Sequence, residues 1–299
     1  MDRLQTMAMF VAVSEAQSFS AAARHLKVSP PVITRAVAEL EKRLGVKLLN
    51  RTTRYVRPTE AGSRYVADAR RVLEEIELVD EAAAGVNAEP RGSFVVTAPV
   101  LFGRMHVIPG IVEYLKRYPE TEMHGLFIDR VVNMLEEGID VGIRIGELPD
   151  STMRALKVGV VQLVTVASPA YLHQFGEPDT PENLSLHSII ASSAANHFID
   201  WQFKTAQKIR TFQINPRLIV STNDAAIEAA REGFGITRVL SYQVAPYLAN
   251  GELVTILQDF APVEIPVHIV HREERHSSSK IRAFIDLLAD RLRSDSNLQ

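Results

Sequence analysis

An α/β protein in two unequal parts is what this sequence predicts: a small helical head closed by a β-wing, a long joining helix, and a larger domain of alternating strands and helices. Three observations lead there. In the first sixty positions apolar residues recur at helical spacing in three short runs separated by breakers. From Tyr65 to Ala83 an apolar stripe runs at spacings of four and three. From Gly92 onward, short β-branched runs alternate with amphipathic helical ones.

The chain has 299 residues, a length that suggests two domains. Hydrophobic residues make up 46% and charged residues 23%, close to globular averages, so a sizeable core is expected and disorder is not. The absence of cysteine excludes a disulfide framework, thiolate metal sites and a cysteine nucleophile. The start, Met1-Asp2-Arg3, runs straight into an amphipathic pattern rather than a signal peptide, and no stretch approaches 18 uninterrupted apolar residues. A cytoplasmic location without membrane contact is therefore expected. The net charge of −3 hides an asymmetry: residues 1–58 hold ten Lys/Arg against four Asp/Glu, and residues 59–90 hold three against eight. A basic module on an otherwise acidic chain points to a polyanion-binding head.

Leu4, Met7 and Val11, with Phe10 beside them, predict a first helix over 3–14. Ser18 is a good N-cap for a second, in which Phe19, Ala22, Ala23 and Leu26 share a face; Ala21–Ala23 are small enough for close helix approach. Ser29 caps a third, with Pro30 at the first helical position, where its missing N–H costs nothing. Ile33, Val37, Leu40 and Leu44 continue that helix to a stop at Gly45. Two short helices and a tight turn make a helix-turn-helix, whose second helix presents Ser29, Pro31, Thr34, Arg35 and Ala38 outward. Small polar groups plus one arginine suit a major groove, and Arg35 is suited to guanine O6/N7 or to a phosphate. Val46–Leu49 and Tyr55–Arg57 read as strands around a turn at 50–54. This wing carries Arg51, Thr52, Arg54 and Arg57, placed for a sugar-phosphate backbone or a minor groove.

The order Phe19-Ser20-Ala21-Ala22-Ala23, Leu26, Ser29-Pro30, Arg35, Leu40-Glu41, Leu44-Gly45, Leu48-Leu49-Asn50-Arg51-Thr52-Thr53-Arg54 and Thr59-Glu60-Ala61-Gly62 resembles the LysR-type transcriptional regulator family. One departure is Pro31, where the family usually carries a small or polar residue; base reading then rests more on Thr34 and Arg35.

Thr59 is the expected N-cap of the joining helix, with Glu60 favoured by the helix dipole. Tyr65, Ala69, Val72, Ile76, Val79 and Ala83 form a heptad seam that docks either on the chain's own core or on a second copy. The flanking charge favours a dimer coiled coil, as the resemblance also implies. Asn87–Gly92 reads as a hinge.

Beyond it, strands are predicted at Ser93–Ala98, Glu122–Ile128, Asp140–Ile145, Val160–Ala167, 188–192, 209–214, 217–221, Ile236–Leu240, Glu252–Leu257 and Pro266–His271. Helices are predicted at Gly103–Tyr118, Val131–Glu137, Pro169–Phe175, Asn223–Glu232, Ser241–Ala249 and Ser277–Leu292. Such alternation implies mostly parallel sheets, with ligands at the carboxyl ends of strands near helix N-termini. The candidate effector-binding residues there are Thr97, Val100, Leu101, Phe102, Arg144, Ala167, Thr222 and Asn223. Arg144 is placed to clamp an acidic ligand or to pair with a structural acid. Leu135–Val141, Arg144–Gly146, Ser168–Leu172 and Gly233–Ile236 also resemble the LysR-type effector domain. The resemblance implies a periplasmic-binding-protein-like fold of two subdomains, crossed near 161–163 and 265–267, with the ligand between them. The expected domains are 1–58 for the head, 59–90 for linker and hinge, and 91–299 for the effector domain. Within the last, the first subdomain is 91–161 with 267–299 and the second is 162–266.

No P-loop, HExxH or G-x-S-x-G elbow is present, and Gly138, Gly142 and Gly146 do not match a dinucleotide fingerprint. His268 and His271 point to opposite faces of a strand, which weakens a metal reading that would include His276. Neither enzyme activity, metal nor cofactor is expected. The prediction is a sequence-specific DNA-binding regulator modulated by a small-molecule effector, acting on an interrupted palindrome as a homodimer or homotetramer, with RNA polymerase a further partner. The competing reading is a solute-binding protein without DNA function.

Overall fold

The computed structural model describes residues 2–51, 55–84, 89–148, 153–194, 199–205, 208–272 and 278–299; in the joining helix the side chains of 74, 77, 78 and 80–84 are outside that description. The chain divides into two units, Met1–Ala88 with His276–Ser279, and Glu89–Arg275 with Lys280–Gln299.

In the first unit, α1 (Arg3–Ala16), α2 (Phe19–His25) and α3 (Pro30–Leu44) precede a two-stranded wing, β1 (Leu49–Arg51) and β2 (Val56–Pro58), and then α4 (Glu60–Ala84). The predicted stops act as predicted. Ser18 accepts a hydrogen bond from the Ala21 N–H, and Gly45 ends α3 in the left-handed conformation. The three helices close on Phe10, Val13, Ala22, Ala23, Ile33, Val37 and Leu40, with Leu48 and Leu49 from the approach to the wing. Both alanines are essentially inaccessible, so α2 lies close to its neighbours because it carries almost no side chain there. Thr59 caps α4: its hydroxyl accepts from the Gly62 N–H (2.9 Å), and its own N–H donates to the Leu48 carbonyl (2.8 Å). The contact is so close that a Cβ on Gly62 would lie 1.9 Å from that carbonyl oxygen.

The second unit contains two mixed five-stranded sheets. Its elements are β3 (Gly92–Ala98), α5 (Val100–Phe102), a π-helical turn at Gly103–Val107, α6 (Ile108–Arg117), β4 (Thr121–Phe127), β5 (Val141–Ile145), β6 (Met153–Val161), β7 (Leu163–Ala167), α7 (Pro169–Phe175), β8 (Ile189–Ser192), β9 (Asp200–Thr205), β10 (Lys208–Gln213), β11 (Leu218–Val220), α8 (Asn223–Arg231), β12 (Ile236–Leu240), α9 (Ser241–Ala249), β13 (Val254–Ile256), β14 (Ile265–Arg272) and α10 (Ser279–Arg293). One sheet has the order β4-β3-β5-β14-β6 and the other β11-β8-β12-β7-β13; β9 and β10 form a separate hairpin. A large buried cluster continues from one sheet to the other, through Phe102, Val107, Val239 and Tyr242.

Several sequence expectations need correction. The sheets are not mostly parallel: β14 runs antiparallel to β5 and β6, and β7 antiparallel to β12 and β13. The single strand predicted at Val160–Ala167 is two, broken at Gln162. There the Gln162 N–H donates to the Ser241 hydroxyl and its carbonyl accepts from the Ser241 N–H (2.7 Å), so its backbone is satisfied by the start of α9 rather than by a ladder. Residues 131–133 are irregular and 134–138 form a turn, where the sequence predicts a helix over 131–137. Val132 and Met134 are buried while Val131 and Leu135 are exposed, and the Asn133 side-chain Oδ1 accepts from the Leu135 N–H, a local bond that competes with helix. The strands β6, over its first seven residues, and β9 lie outside the predicted set.

Candidate nucleic-acid interface and effector cleft

On α3 the apolar face of Ile33, Ala36, Val37 and Leu40 is fully buried. The opposite face leaves Pro31, Thr34, Arg35 and Ala38 exposed, with Ser29 beside its N-terminus. Ser29 makes no capping bond. Pro30 and Pro31 carry no N–H, so half of the four free amides a helix normally offers to a phosphate are missing here. The Thr34 hydroxyl donates back to the Pro30 carbonyl (3.0 Å). It therefore presents outward a methyl group and acceptor lone pairs, suited to a thymine methyl or to an adenine or cytosine amino group. Arg35 is exposed and makes no ion pair with any described residue.

The wing is more differentiated than three equivalent arginines. Arg51 pairs with Glu41 (3.2 Å), and its guanidinium lies 4.9 Å from the Phe19 ring. Its charge is opposed in the structure by a carboxylate that is only 15% exposed. Glu41 is the residue that sequence reasoning passed over. Its Oε1 accepts from the Leu48 N–H (2.9 Å) and the Leu49 N–H (3.0 Å), fixing the entry to the wing. Its signal in the sequence is an acid near the end of a helix, where the dipole disfavours it. Arg57 is exposed on β2, stacked near Tyr55 at 5.4 Å. Thr52 and Arg54 lie outside the described residues.

The α4 stripe divides along its length. Ala69 is completely buried and packs, with Tyr65 and Val72, on Met7 and Val11 of α1. Tyr65 also meets Phe10 edge-on at 5.6 Å. Tyr65 and Ala69 therefore belong to the head's own core, a correction to their reading as dimer contacts: the head needs them to cover α1. Further along, Ile76 is partly exposed and Val79 is 68% exposed. Ala83 lies outside the described side chains.

In the second unit the predicted effector residues also divide. Thr97 is buried and its hydroxyl donates to the Leu126 carbonyl (2.7 Å); Leu101, Phe102 and Ala167 are buried in apolar clusters. These four face the interior and are corrected to core residues. Position at the end of a strand is readable from sequence, whereas the side to which a residue points there is set by the crossover packed on it. Val100 is exposed, its N–H held by Asp129 (3.0 Å). Arg144, near the carboxyl end of β5, is half-buried and donates to the Val132 carbonyl (3.1 Å). Burial pulls its pKa down, opposed by Glu137, but Glu137 is itself engaged by Arg130 through two bonds of 2.8 and 2.7 Å. Arg144 thus keeps a charge that no described carboxylate pairs. Thr222 is exposed and Asn223 half-buried at the start of α8.

Two residues outside the predicted set interact with this region. Asp224 has its carboxyl held low, first by a hydrogen bond with Thr222 and further by Arg104. Arg104 stands on the π-helical turn at Gly103–Val107, so its charge is felt from the first sheet's side by a group at the start of α8. A π-helical turn inside a helix is a frequent mark of a functional position. Behind that turn the core is aromatic: Phe102 lies 5.2 Å and His106 5.5 Å from the Tyr242 ring, all three buried. Burial pushes the Tyr242 phenol well up, so it stays protonated.

Comparison with known proteins bears on both sites. Residues 4–63 match the model of the bacterial regulatory helix-turn-helix protein, lysR family, and residues 87–293 match the LysR substrate binding domain. The chain belongs to the LysR family of transcriptional regulators. An HTH-type transcriptional repressor of Pseudomonas aeruginosa is 32% identical over 302 residues, spanning 100% of this chain and 95% of that one. The activator TtdR of Escherichia coli is 29% identical, spanning 94% and 91%. Among solved structures, the LysR-type regulator CrgA from Neisseria meningitidis is 28% identical, with a TM-score of 0.63 over 98% of this chain and 99% of that one. This LysR-type chain is thus a transcriptional regulator with a DNA-binding head and an effector-binding domain, not an enzyme. The match of the head sets aside a solute-binding protein without DNA function. No helix among the described residues is long and apolar enough to cross a membrane.

Proposed function

We propose that two copies of the chain pair through the outer part of the α4 stripe, around Ile76 and Val79, and set their α3 helices into successive major grooves of an interrupted palindrome. The half-sites would then lie roughly 34 Å apart or a multiple of that. The carrying observation is the division of α3 into a buried face and an exposed face that holds Pro31, Thr34 and Arg35. Thr34 and Arg35 read bases, with Ser29 and Pro31 against the groove, while Arg57 and the wing residues Thr52 and Arg54 hold the backbone. Arg51 supports the wing through Glu41. An acidic effector enters the cleft between the two sheets, where Arg144, Asn223, Thr222 and Val100 receive it. Pairing of dimers into a tetramer gives the effector a second interface through which to change the spacing of the heads. The regulator works in the cytoplasm and meets RNA polymerase at the promoters it controls.

The test is binding to duplexes from the chain's own upstream region and to random DNA across a salt series. Arg35→Ala should cost about 1–3 kcal/mol on the chosen site and little on random DNA. Arg57→Ala should weaken both alike and lower the salt slope by about one. If the two variants behave identically on both kinds of DNA, the assigned division between reading and anchoring is wrong.

A further inference from the structure

The second sheet carries a charged side chain that the cleft does not use. Arg238 lies on β12, the central strand, opposite Thr165 of β7, which in turn lies opposite Ile256 of β13. These three share one face of the sheet. Their neighbours Val164, Val166, Thr237 and Val239 point to the other face, and all but Thr237 join the cluster that contains Ala226 and Ile227 of α8. The Arg238 face is covered instead by the β9–β10 hairpin. Its guanidinium carbon sits 4.4 Å from the Phe203 ring and 5.8 Å from Trp201. One terminal nitrogen donates to the Gln202 carbonyl, while Nε is buried with no hydrogen-bond partner.

No carboxylate among the described residues pairs with this arginine. Burial alone pulls its pKa down to about 10, so the group still carries its charge at neutral pH. An uncompensated charge among buried aromatic side chains is costly, and its ordinary remedies are a paired anion or several hydrogen bonds. The two rings and one carbonyl supply neither a countercharge nor a partner for Nε.

Beside Arg238 lies a cavity of about 230 Å³. Leu163, Ile256, Leu257 and Pro262 give it apolar walls, and Gln258 and Thr165 give it polar points. Among the described residues, Arg238 is its one charged lining residue. We propose that this cavity binds a small organic monocarboxylate, with the carboxylate on Arg238 and the hydrocarbon part against the apolar wall. One cation matches one negative charge, and the apolar wall favours an organic acid over inorganic phosphate. The cavity touches both segments by which the chain passes between the sheets: Gln162 on one, and on the other Pro262, whose carbonyl accepts from the Gln162 amide (3.0 Å). A ligand here would stiffen those crossings from a place separate from the cleft.

Trp201 is the chain's single tryptophan, so its emission reports this site directly. Full-length protein is titrated with butanoate, phenylacetate, 2-phenylethanol and inorganic phosphate. The expected result is a saturable change in Trp201 emission with at least one of the two acids below about 10 mM, and none with the alcohol or phosphate. Arg238→Gln should weaken the response at least tenfold, and Arg144→Gln should leave it unchanged. Should Arg238→Gln fail to fold by circular dichroism, Leu163→Phe, which fills the cavity from the same face, must abolish the response. No response to either acid, an equal response to the alcohol or to phosphate, or a response lost in Arg144→Gln but kept in the Arg238 or Leu163 variant would overturn the proposal. The last outcome would place the acid in the cleft, leaving the regulator reading untouched.

Discussion

Replacing Glu41 by alanine should loosen the wing without unfolding the helices that carry it. The carboxylate accepts two backbone hydrogen bonds, from the Leu48 and Leu49 N–H groups at 2.9 and 3.0 Å, and one from Arg51 at 3.2 Å. Leu48 and Leu49 are buried, and the Glu41 side chain is 15% exposed. In Glu41→Ala both amides lose their acceptor in a place that water reaches poorly. Hydrogen bonds to a charged group contribute roughly 1.5–3 kcal/mol each, so the lower end for two gives about 3 kcal/mol. At 1.4 kcal/mol per tenfold change, local opening becomes about a hundredfold more frequent. Glu41→Gln keeps one acceptor oxygen and should cost about 1 kcal/mol. The assay is amide hydrogen exchange of residues 48 and 49 in the full chain. The expected order is wild type slowest, Gln intermediate and Ala fastest, with the α3 amides little changed. Exchange at 48 and 49 that is the same in Glu41→Ala as in wild type would refute the role given to this carboxylate. Equal acceleration in both variants would show that charge, not acceptor geometry, holds the wing.

Three further outcomes follow from the same geometry. Gly62→Ala puts a Cβ 1.9 Å from the Leu48 carbonyl oxygen, a clash with backbone that cannot rotate away. It should cost about 3 kcal/mol, against about 1 kcal/mol for Gly45→Ala, which has open space and a left-handed backbone at φ 69°; calorimetry of the two variants checks the order. Val79→Asp should weaken self-association at least tenfold in analytical ultracentrifugation if the outer α4 stripe pairs copies, since it puts a charge in an apolar seam. His106 is buried against Asp295 (2.9 Å), and burial pulls its pKa down, outweighing the carboxylate. For Asp295 burial works the other way, but hydrogen bonds from the Asn297 N–H and His106 leave its carboxyl low. Because the folded His106 pKa lies below the unfolded value, its stabilising share is complete above about pH 6.5 and is lost as pH falls through the folded pKa. Melting of the effector unit between about pH 8 and pH 5 should therefore drop on acidification, and less in His106→Gln; equal slopes would remove the titration from His106.

Local chemistry carried far in this chain. Ser18, Gly45 and Thr59 stop and start helices in the structure as their side chains and backbone freedom require. The faces of α3 were legible because a period of 3.6 residues assigns each position to one side. Much of the second unit's element order was legible for the same reason, since strand and helix periods differ. What the sequence did not disclose depends on contacts distant along the chain. The break at Gln162 needs Ser241, the pairing of Arg51 needs Glu41 and Phe19, and strand direction in each sheet needs its neighbours.

The effector residues show the limit most clearly. Thr97, Leu101, Phe102 and Ala167 are correctly placed along the chain near strand ends, yet they are buried, while Arg104 and Asp224, which feel each other's charge, had no signal in the sequence. Tyr65 and Ala69 make the same point on α4, where a single apolar stripe serves the head's own core first and is exposed only further on. The sequence by itself determined the family, the two-part α/β architecture and which face of α3 looks outward, because these follow from local periodicity and spaced motifs. Only the tertiary structure decided which charges stay free. Among the described residues Arg51 is paired with a carboxylate and Arg144 and Arg238 are not, because pairing depends on what the fold brings within a few ångströms, and sequence separation does not encode that distance.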